Sequence, residues 1–395
     1  MKKKIIISLI LFILVCGFGF WGREIFSNNQ KKNKTEAKSE ENFNRLSDEE
    51  LKERIGQMVM IGFRGTEVSE NSDIIKIIND AKIGGVVLFD FDVPSRSFPR
   101  NILNYEQTKK LISDLKKYSS VPLFIAVDAE GGKVNRLKPE YGFLNIASPK
   151  ELGELNNYEI TKKEYLKLSK ELRELGFNMN FAPVVDLNIN AKNPIIGALN
   201  RSFSSNPDTV FIQAKVFIES LKENNIISVV KHFPGHGSSK NDSHLGIVDV
   251  TETYKEEEII PYQKLNENNL LEAVMTAHIF NKKIDKNYPS TLSSIFLEDI
   301  LRKKIGFSGV IISDDMQMGA ISKNYGFEES IIKAINAGND ILLFSNNSSN
   351  NYDKDLGYKV TDIIYDAVKN GQISEKRIFE SSERIYNLKR KFKII

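Results

Sequence analysis

Three of the four histidines in this chain, His232, His236 and His244, fall within one short segment, KHFPGHGSSKNDSHL at residues 231–245. Scarce titratable groups crowded together directly after an apolar run mark a loop that can move protons. In Asp242-Ser243-His244 the carboxylate stands two residues from the imidazole, close enough to accept a hydrogen bond from one ring nitrogen. Such a partner fixes the tautomer and stabilises the imidazolium, leaving the other nitrogen to deliver a proton. The competing account is a solvated loop with an incidental Asp-His pair. A second acidic pair, Asp314-Asp315, follows the apolar run 310–312. One carboxylate there can act as a nucleophile or stabilise positive charge. The other is read as a cap on nearby backbone, and Asp315 is assigned that part.

Further candidates lie at the ends of other apolar runs. Asp128 opens Asp128-Ala129-Glu130-Gly131-Gly132, whose paired glycines permit a tight turn that brings carboxylate or backbone up to a ligand. Lys231 and His232 begin the histidine-rich segment, and Arg201 follows a glycine-containing loop, either as a ligand-binding cation or as surface charge. The His232-x3-His236 spacing invites a metal, but Phe233-Pro234-Gly235 breaks the helix on which such a pair would share a face. No metal site is therefore expected. Nor does any G-x-S-x-G elbow, Walker loop or G-x-G-x-x-G after a first strand point to a serine hydrolase or a nucleotide enzyme.

Positioning these groups falls to a chain that alternates short apolar runs with longer amphipathic stretches. Eight runs, at 57–63, 84–89, 122–127, 179–185, 226–230, 271–277, 309–312 and 340–344, read as strands. Between and after them, apolar residues recur at three and four over 108–117, 162–175, 209–223, 297–304, 328–337, 360–369 and 374–391, predicting helices. Strands alternating with helices imply parallel pairing, and near-continuous Val/Ile/Leu runs suit strands buried on both faces. Eight such units predict an α/β fold, a single-domain (β/α)8 barrel of the TIM type rather than an open sheet. Five runs end in ionisable groups: Asp128, Asp186, Lys231 with His232, His278, and Asp314 with Asp315. A barrel gathers all of those ends at one mouth; an open sheet would scatter them.

Composition sets the outer bounds. The 395 residues, 41% hydrophobic and 27% charged, can bury one large core or two modest ones. With 55 basic against 52 acidic residues there is no charge excess to suggest nucleic acid as a partner, and the lone cysteine, Cys16, excludes an internal disulfide framework. Three lysines followed by an apolar run to Trp21 make residues 1–22 a signal or membrane anchor, with a lipidated Cys16 as the rival reading; residues 23–45 read as a flexible tether and 46–395 as the catalytic body. The expectation is an exported protein of a bacterial cell envelope, anchored outside the cytoplasmic membrane by that segment or by lipid, with a monomeric body.

Taken together, these segments resemble glycoside hydrolase family 3, in its single-domain β-N-acetylglucosaminidase branch. The resemblance spans about residues 51–388 and rests on IGQMVMIGF from Ile55, DAEGGKVNRL from Asp128, NFAPVVDL from Asn180, NPIIGALNRSF from Asn193, KHFPGHG from Lys231, DSH from Asp242, MTAHI from Met275 and SDDM from Ser313. It implies an exo-acting retaining β-N-acetylhexosaminidase in which Asp314 is the nucleophile and His244, assisted by Asp242, the general acid/base. Asp128, Arg201, Lys231 and His232 would hold a terminal N-acetylglucosamine of a peptidoglycan fragment, with Asn180, Asp186 and His278 behind them or in the pocket wall. No cofactor is implied. The chain departs from the family at Ser238-Ser239, where Asp-Thr is usual, and at Lys133, where arginine is common. A family member of other sugar preference, one passing the glycosyl group to phosphate, and a non-enzymatic wall-binding barrel are the alternatives.

Overall fold

The computed structural model describes residues 45–348 and 352–395. The segment 1–22, Cys16 and all but the last residue of the 23–45 tether lie outside the described residues. From Asp48 onward the chain is one compact unit.

All eight predicted strands form. They are β1 (Val59–Gly62), β2 (Gly85–Val87), β3 (Phe124–Val127), β4 (Met179–Asn180), β5 (Ile227–Phe233), β6 (Ala273–Thr276), β7 (Val310–Ile312) and β8 (Leu342–Phe344). Each pairs in parallel with its neighbours in the order β7-β6-β5-β4-β3-β2-β1-β8. A parallel bridge from Ile312 to Ile341 joins the two ends, so the sheet closes into a (β/α)8 barrel. Every residue of these strands is buried, as continuous apolar runs covered on both faces require. The longest, β5, carries Lys231 and His232 into the interior as part of its own pairing. β4 is shorter than its 179–185 run. Pro183 has no N–H to give to a ladder, and pairing with β5 resumes at the Val184–Lys231 bridge.

The amphipathic stretches become the surrounding helices, among them Tyr105–Tyr118, Tyr158–Leu175, Pro207–Glu223, Phe327–Ala337 and Leu356–Lys369. One differs from a regular α-helix: Ile295–Lys304 is wound as a π-helix.

Two polar devices secure the end of the barrel remote from the site. Lys389, in the last helix Glu375–Lys391, lies over the Phe124 ring and donates to Gln57 Oε1 (2.6 Å), Gly84 O (3.1 Å) and Pro122 O (2.6 Å). At the β7–β8 seam, Asp340 is wholly buried. It accepts from Arg302 Nη2 (2.6 Å), Arg384 Nε (3.0 Å), Ser381 Oγ (2.8 Å) and the Ile311 N–H (2.9 Å). Burial pushes its carboxyl up, but Arg302, Arg377 and Arg384 together hold it below the ordinary aspartate value.

Candidate active site

The carboxyl ends of β3, β4, β5 and β7 each deliver charged side chains to the same mouth. After β3 the chain doubles back as a ribbon, Ala129–Gly131 against Val134–Asn135, and the turn needs Gly131 and Gly132 at φ +92° and +60°. A β-carbon at either would strike Ala147 O or Ser148. Asn180 at the end of β4 holds this ribbon in place, accepting from the Ala129 N–H (3.0 Å) and donating to Ala129 O (2.9 Å). The ribbon thereby sets Asp128 and Glu130 side by side.

Those two carboxylates meet two cations. Lys231 Nζ sits between Asp128 Oδ1 (2.7 Å) and Glu130 Oε1 (2.8 Å). Arg201 grips Glu130 with both prongs, Nε to Oε2 (2.8 Å) and Nη2 to Oε1 (2.7 Å), and donates through Nη1 to Ile195 O (2.9 Å). Arg201 is thus a buried ion-paired residue and not surface charge. Burial pushes the Asp128 carboxyl up, but Lys231 and Arg136 overcome this and bring it down to about 2. Glu130 is lowered in the same way, by Arg201 and Lys231 against burial.

His232 is fixed at both nitrogens. Arg201 Nη2 faces Nε2 (3.3 Å), which leaves Nδ1–H to donate to Asp186 Oδ2 (2.6 Å). Asp186 Oδ1 accepts from the His236 N–H (2.8 Å), so one buried carboxylate orients the ring and anchors the loop behind it. His232 and His236 therefore face different partners: the His236 ring turns to Ser239 Oγ (2.9 Å). Burial lowers His236 to about 4 despite the nearby Asp186.

Beyond β7, Asp315 is bound by the Gln317 N–H (3.1 Å), the Ser345 N–H (3.0 Å) and the Ser345 hydroxyl. It braces the loops after β7 and β8 to each other, a wider part than the cap assigned to it. Asp314 accepts from the Asp315 N–H (2.8 Å). Burial pushes the Asp314 carboxyl up, but His278, His232 and His244 draw it below the ordinary value, so it is anionic at neutral pH. His278 supports the same turn, its Nε2 donating to Asp315 O (2.9 Å) and its Nδ1 meeting Thr291 Oγ1 (2.8 Å).

Asp242 and His244 ride on the long loop after β5. His244 Nδ1 lies 2.7 Å from Asp242 Oδ1, which also accepts the His244 N–H (2.8 Å). The His244 side chain is 61% exposed, leaving Nε2 open to a substrate. The loop rests on the segment that follows Asp314: Gly319 N–H donates to His244 O (3.2 Å) and Ala320 N–H to Ser243 O (3.2 Å).

All seven residues singled out from the sequence, Asp128, Arg201, Lys231, His232, Asp242, His244 and Asp314, therefore converge on the mouth. Three partners carried less weight there. Glu130 was only part of a weak turn motif, Arg136 reaches Asp128 (3.6 Å) and Asp90 (3.8 Å), and Glu258 sits under the β5 loop. Proximity to a motif was the available signal for the first two; Glu258 had none.

A half-buried carboxylate at the mouth of a (β/α)8 barrel, with an acid-paired imidazole docked on the turn that follows it, supplies the nucleophile and proton donor that glycoside cleavage requires. Residues 50–388 match the model of the glycosyl hydrolase family 3 N-terminal domain. A beta-hexosaminidase of Photobacterium profundum is 35% identical over 291 residues, 73% of this chain and 82% of that one. One from Haemophilus influenzae (strain ATCC 51907 / DSM 11121 / KW20 / Rd) is 33% identical over 294 residues, 73% of this chain and 79% of that one. The structure of a glycoside hydrolase family 3 beta-N-acetylglucosaminidase from Paenibacillus sp. str. FPU-7 superposes with a TM-score of 0.79 at 33% identity. It covers 89% of this chain, which spans 63% of that structure's length. The chain belongs to glycoside hydrolase family 3.

Proposed function

We propose that this glycoside hydrolase is an exo-acting, retaining β-N-acetylglucosaminidase that removes non-reducing terminal N-acetylglucosamine from peptidoglycan fragments. The observation that carries the reading is the pairing of an ionised Asp314 with the Asp242-braced His244. Asp314 attacks the anomeric carbon through an oxocarbenium-like transition state while His244 protonates the departing oxygen; His244 then activates water against the glycosyl ester. Asp128, Lys231, Arg201 and His232, linked through Glu130, form one chain of donors and acceptors suited to the hydroxyls of a terminal sugar. The hexosaminidase names of the relatives support the N-acetylated sugar.

Turnover of a panel of aryl β-glycosides tests the sugar, with N-acetylglucosaminide expected to be the best substrate by a wide margin. A preference for glucoside or xyloside would move the enzyme elsewhere in the family. Hydrolysis predicts free N-acetylglucosamine whether or not phosphate is present, whereas a sugar phosphate made only with phosphate would establish phosphorolysis. Incubation with muropeptides carrying non-reducing N-acetylglucosamine tests the natural substrate; release of that sugar is the expected result.

The proposal extends to location: an envelope enzyme, exported and held at the outer face of the cytoplasmic membrane by residues 1–22 or by lipid on Cys16. Labelling with a fatty-acid probe, comparing wild type with Cys16→Ser, separates the two. Label lost in the variant establishes the lipoprotein, and no label in either leaves the uncleaved anchor or a cleaved signal.

A further inference from the structure

The loop that carries His244 is exposed at its tip and held at its root, and the root contains a buried acid that the mechanism does not use. Glu258 lies in a short 3₁₀ turn, Glu256–Ile259, that follows the loop, and it is wholly inaccessible to solvent. Its Oε2 accepts from the Gly237 N–H (2.9 Å) and the Ser238 N–H (3.3 Å), and its Oε1 from the Lys255 N–H (3.3 Å). A β-carbon on Gly235 would lie 2.5 Å from Glu258 Cβ, so the loop backbone is packed directly on this side chain. Asp186 and Asn193 hold the neighbouring peptides, through the His236 N–H (2.8 Å) and His236 O (2.7 Å).

We propose that Glu258 is a positioning residue for general acid catalysis, its carboxylate fixing the root of the loop so that Asp242 and His244 stand over the glycosidic oxygen. The proposal rests on the assignment of His244 as acid/base. The chemistry of the pocket favours function over stability as the reason for an acid here. Burial is the largest influence on Glu258 and the Asp186 charge adds to it, and against hydrogen bonds from Ser238 and Lys255 they push the carboxyl up to about 7. Facing it besides Asp186 are the hydroxyls of Tyr254 and Tyr262, which bring no positive charge. An ionised Glu258 thus burdens the fold, yet ionisation keeps both oxygens as acceptors for the three N–H groups. A carboxylate here holds the loop root through three backbone N–H groups, which an apolar residue of similar volume cannot do.

The test compares Glu258→Leu, which keeps much of the volume and removes every acceptor, with Glu258→Gln, which keeps one oxygen. A slackened loop misplaces His244, and displacement of a catalytic group by about 1 Å costs on the order of 10²-fold. On an N-acetylglucosaminide with a poor leaving group, kcat/KM should fall roughly 10- to 100-fold in the Leu variant and less in the Gln variant. On a dinitrophenyl glycoside, whose departure needs little protonation, both variants should stay within about threefold of wild type, because Asp314 is untouched. Thermal stability should fall less in the Gln variant than in the Leu variant, since Gln keeps one acceptor while also removing the buried charge. Equal losses on both substrates in a folded variant, or none on either, would overturn the positioning role; if the Leu variant does not fold, the Gln variant and its pH profile decide by the same criterion. His244→Ala serves as the control: without leaving-group selectivity there, the acid/base assignment itself fails, and with it there but not at Glu258, only the present proposal does.

Discussion

Asp314 and Asp315 are consecutive, yet their carboxylates do different work. Asp315 is bound by Gln317 N–H, Ser345 N–H and the Ser345 hydroxyl, while Asp314 accepts from the N–H of Asp315 itself (2.8 Å) and, among the described residues, ties no second loop to its own. Asp314→Ala should therefore abolish turnover with little change in melting temperature. Asp315→Ala should lower melting temperature, because it leaves donors of two loops without an acceptor, at about 1–3 kcal/mol for each buried group orphaned. Circular dichroism melts paired with initial rates check both. The opposite pattern, with Asp314 structural and Asp315 indispensable only for rate, would reverse the assignment.

His244→Ala should slow substrates with poor leaving groups far more than activated ones. General acid catalysis contributes roughly 10²–10⁴-fold, and a loss of about that size is expected on a natural disaccharide. Asp242→Ala should show the same selectivity with a smaller loss, since the imidazole remains but is no longer oriented from Nδ1. Rates across aryl glycosides of graded leaving ability decide this. A flat response in both variants would return the loop to substrate binding.

On the proposed role of Arg201 in holding the sugar, the Glu130–Arg201 pair couples binding to stability. Arg201→Met leaves the buried Glu130 to share Lys231 with Asp128, without the guanidinium that grips both of its oxygens. A destabilisation of about 3–5 kcal/mol is expected, along with a raised KM. Adding Glu130→Gln should recover part of the stability without recovering KM, since the lost partner charge no longer needs compensation but the sugar contacts are still missing. Recovery of both would mean that Arg201 serves the fold alone.

At the other end of the barrel, Asp340→Asn should cost about 3–5 kcal/mol, as it removes the shared anion from three partly buried arginines. The sign of the pH dependence follows from the lowered carboxyl. Wild-type stability from this group is present above the ordinary carboxylate value and is lost as pH falls through the lower folded value. The variant should lack that acid-side loss in a series of denaturant melts. Activity per folded molecule should be unchanged.

The barrel was legible because doubly buried strands are continuous apolar runs, and all eight runs form strands. Their ends were less so. The 179–185 run shrinks to Met179–Asn180 at regular pairing because Pro183 interrupts the ladder, and the 297–304 pattern gives no sign that Ile295–Lys304 winds as a π-helix, since apolar spacing constrains which face is buried more than which carbonyl accepts. The site residues were legible where a charge stands at the end of an apolar run, as at Asp128, Lys231, His232 and Asp314, although the structure carries Lys231 and His232 inside β5 itself. Glu258 was not. In Glu256-Glu257-Glu258 it has the look of solvated charge, and only the return of the β5 loop onto it makes it the buried one of the three.

The central claim is that Asp314 forms a covalent bond to the sugar. The most direct measurement is intact and peptide mass analysis of the enzyme after reaction with an activated fluorinated glycoside, whose glycosyl ester is slow to hydrolyse. A single added sugar on the peptide containing Ser313-Asp314-Asp315, located at Asp314 and absent in Asp314→Ala, is the predicted result. Label on Asp315, or steady turnover of substrate with inversion of anomeric configuration and no label at all, would contradict it.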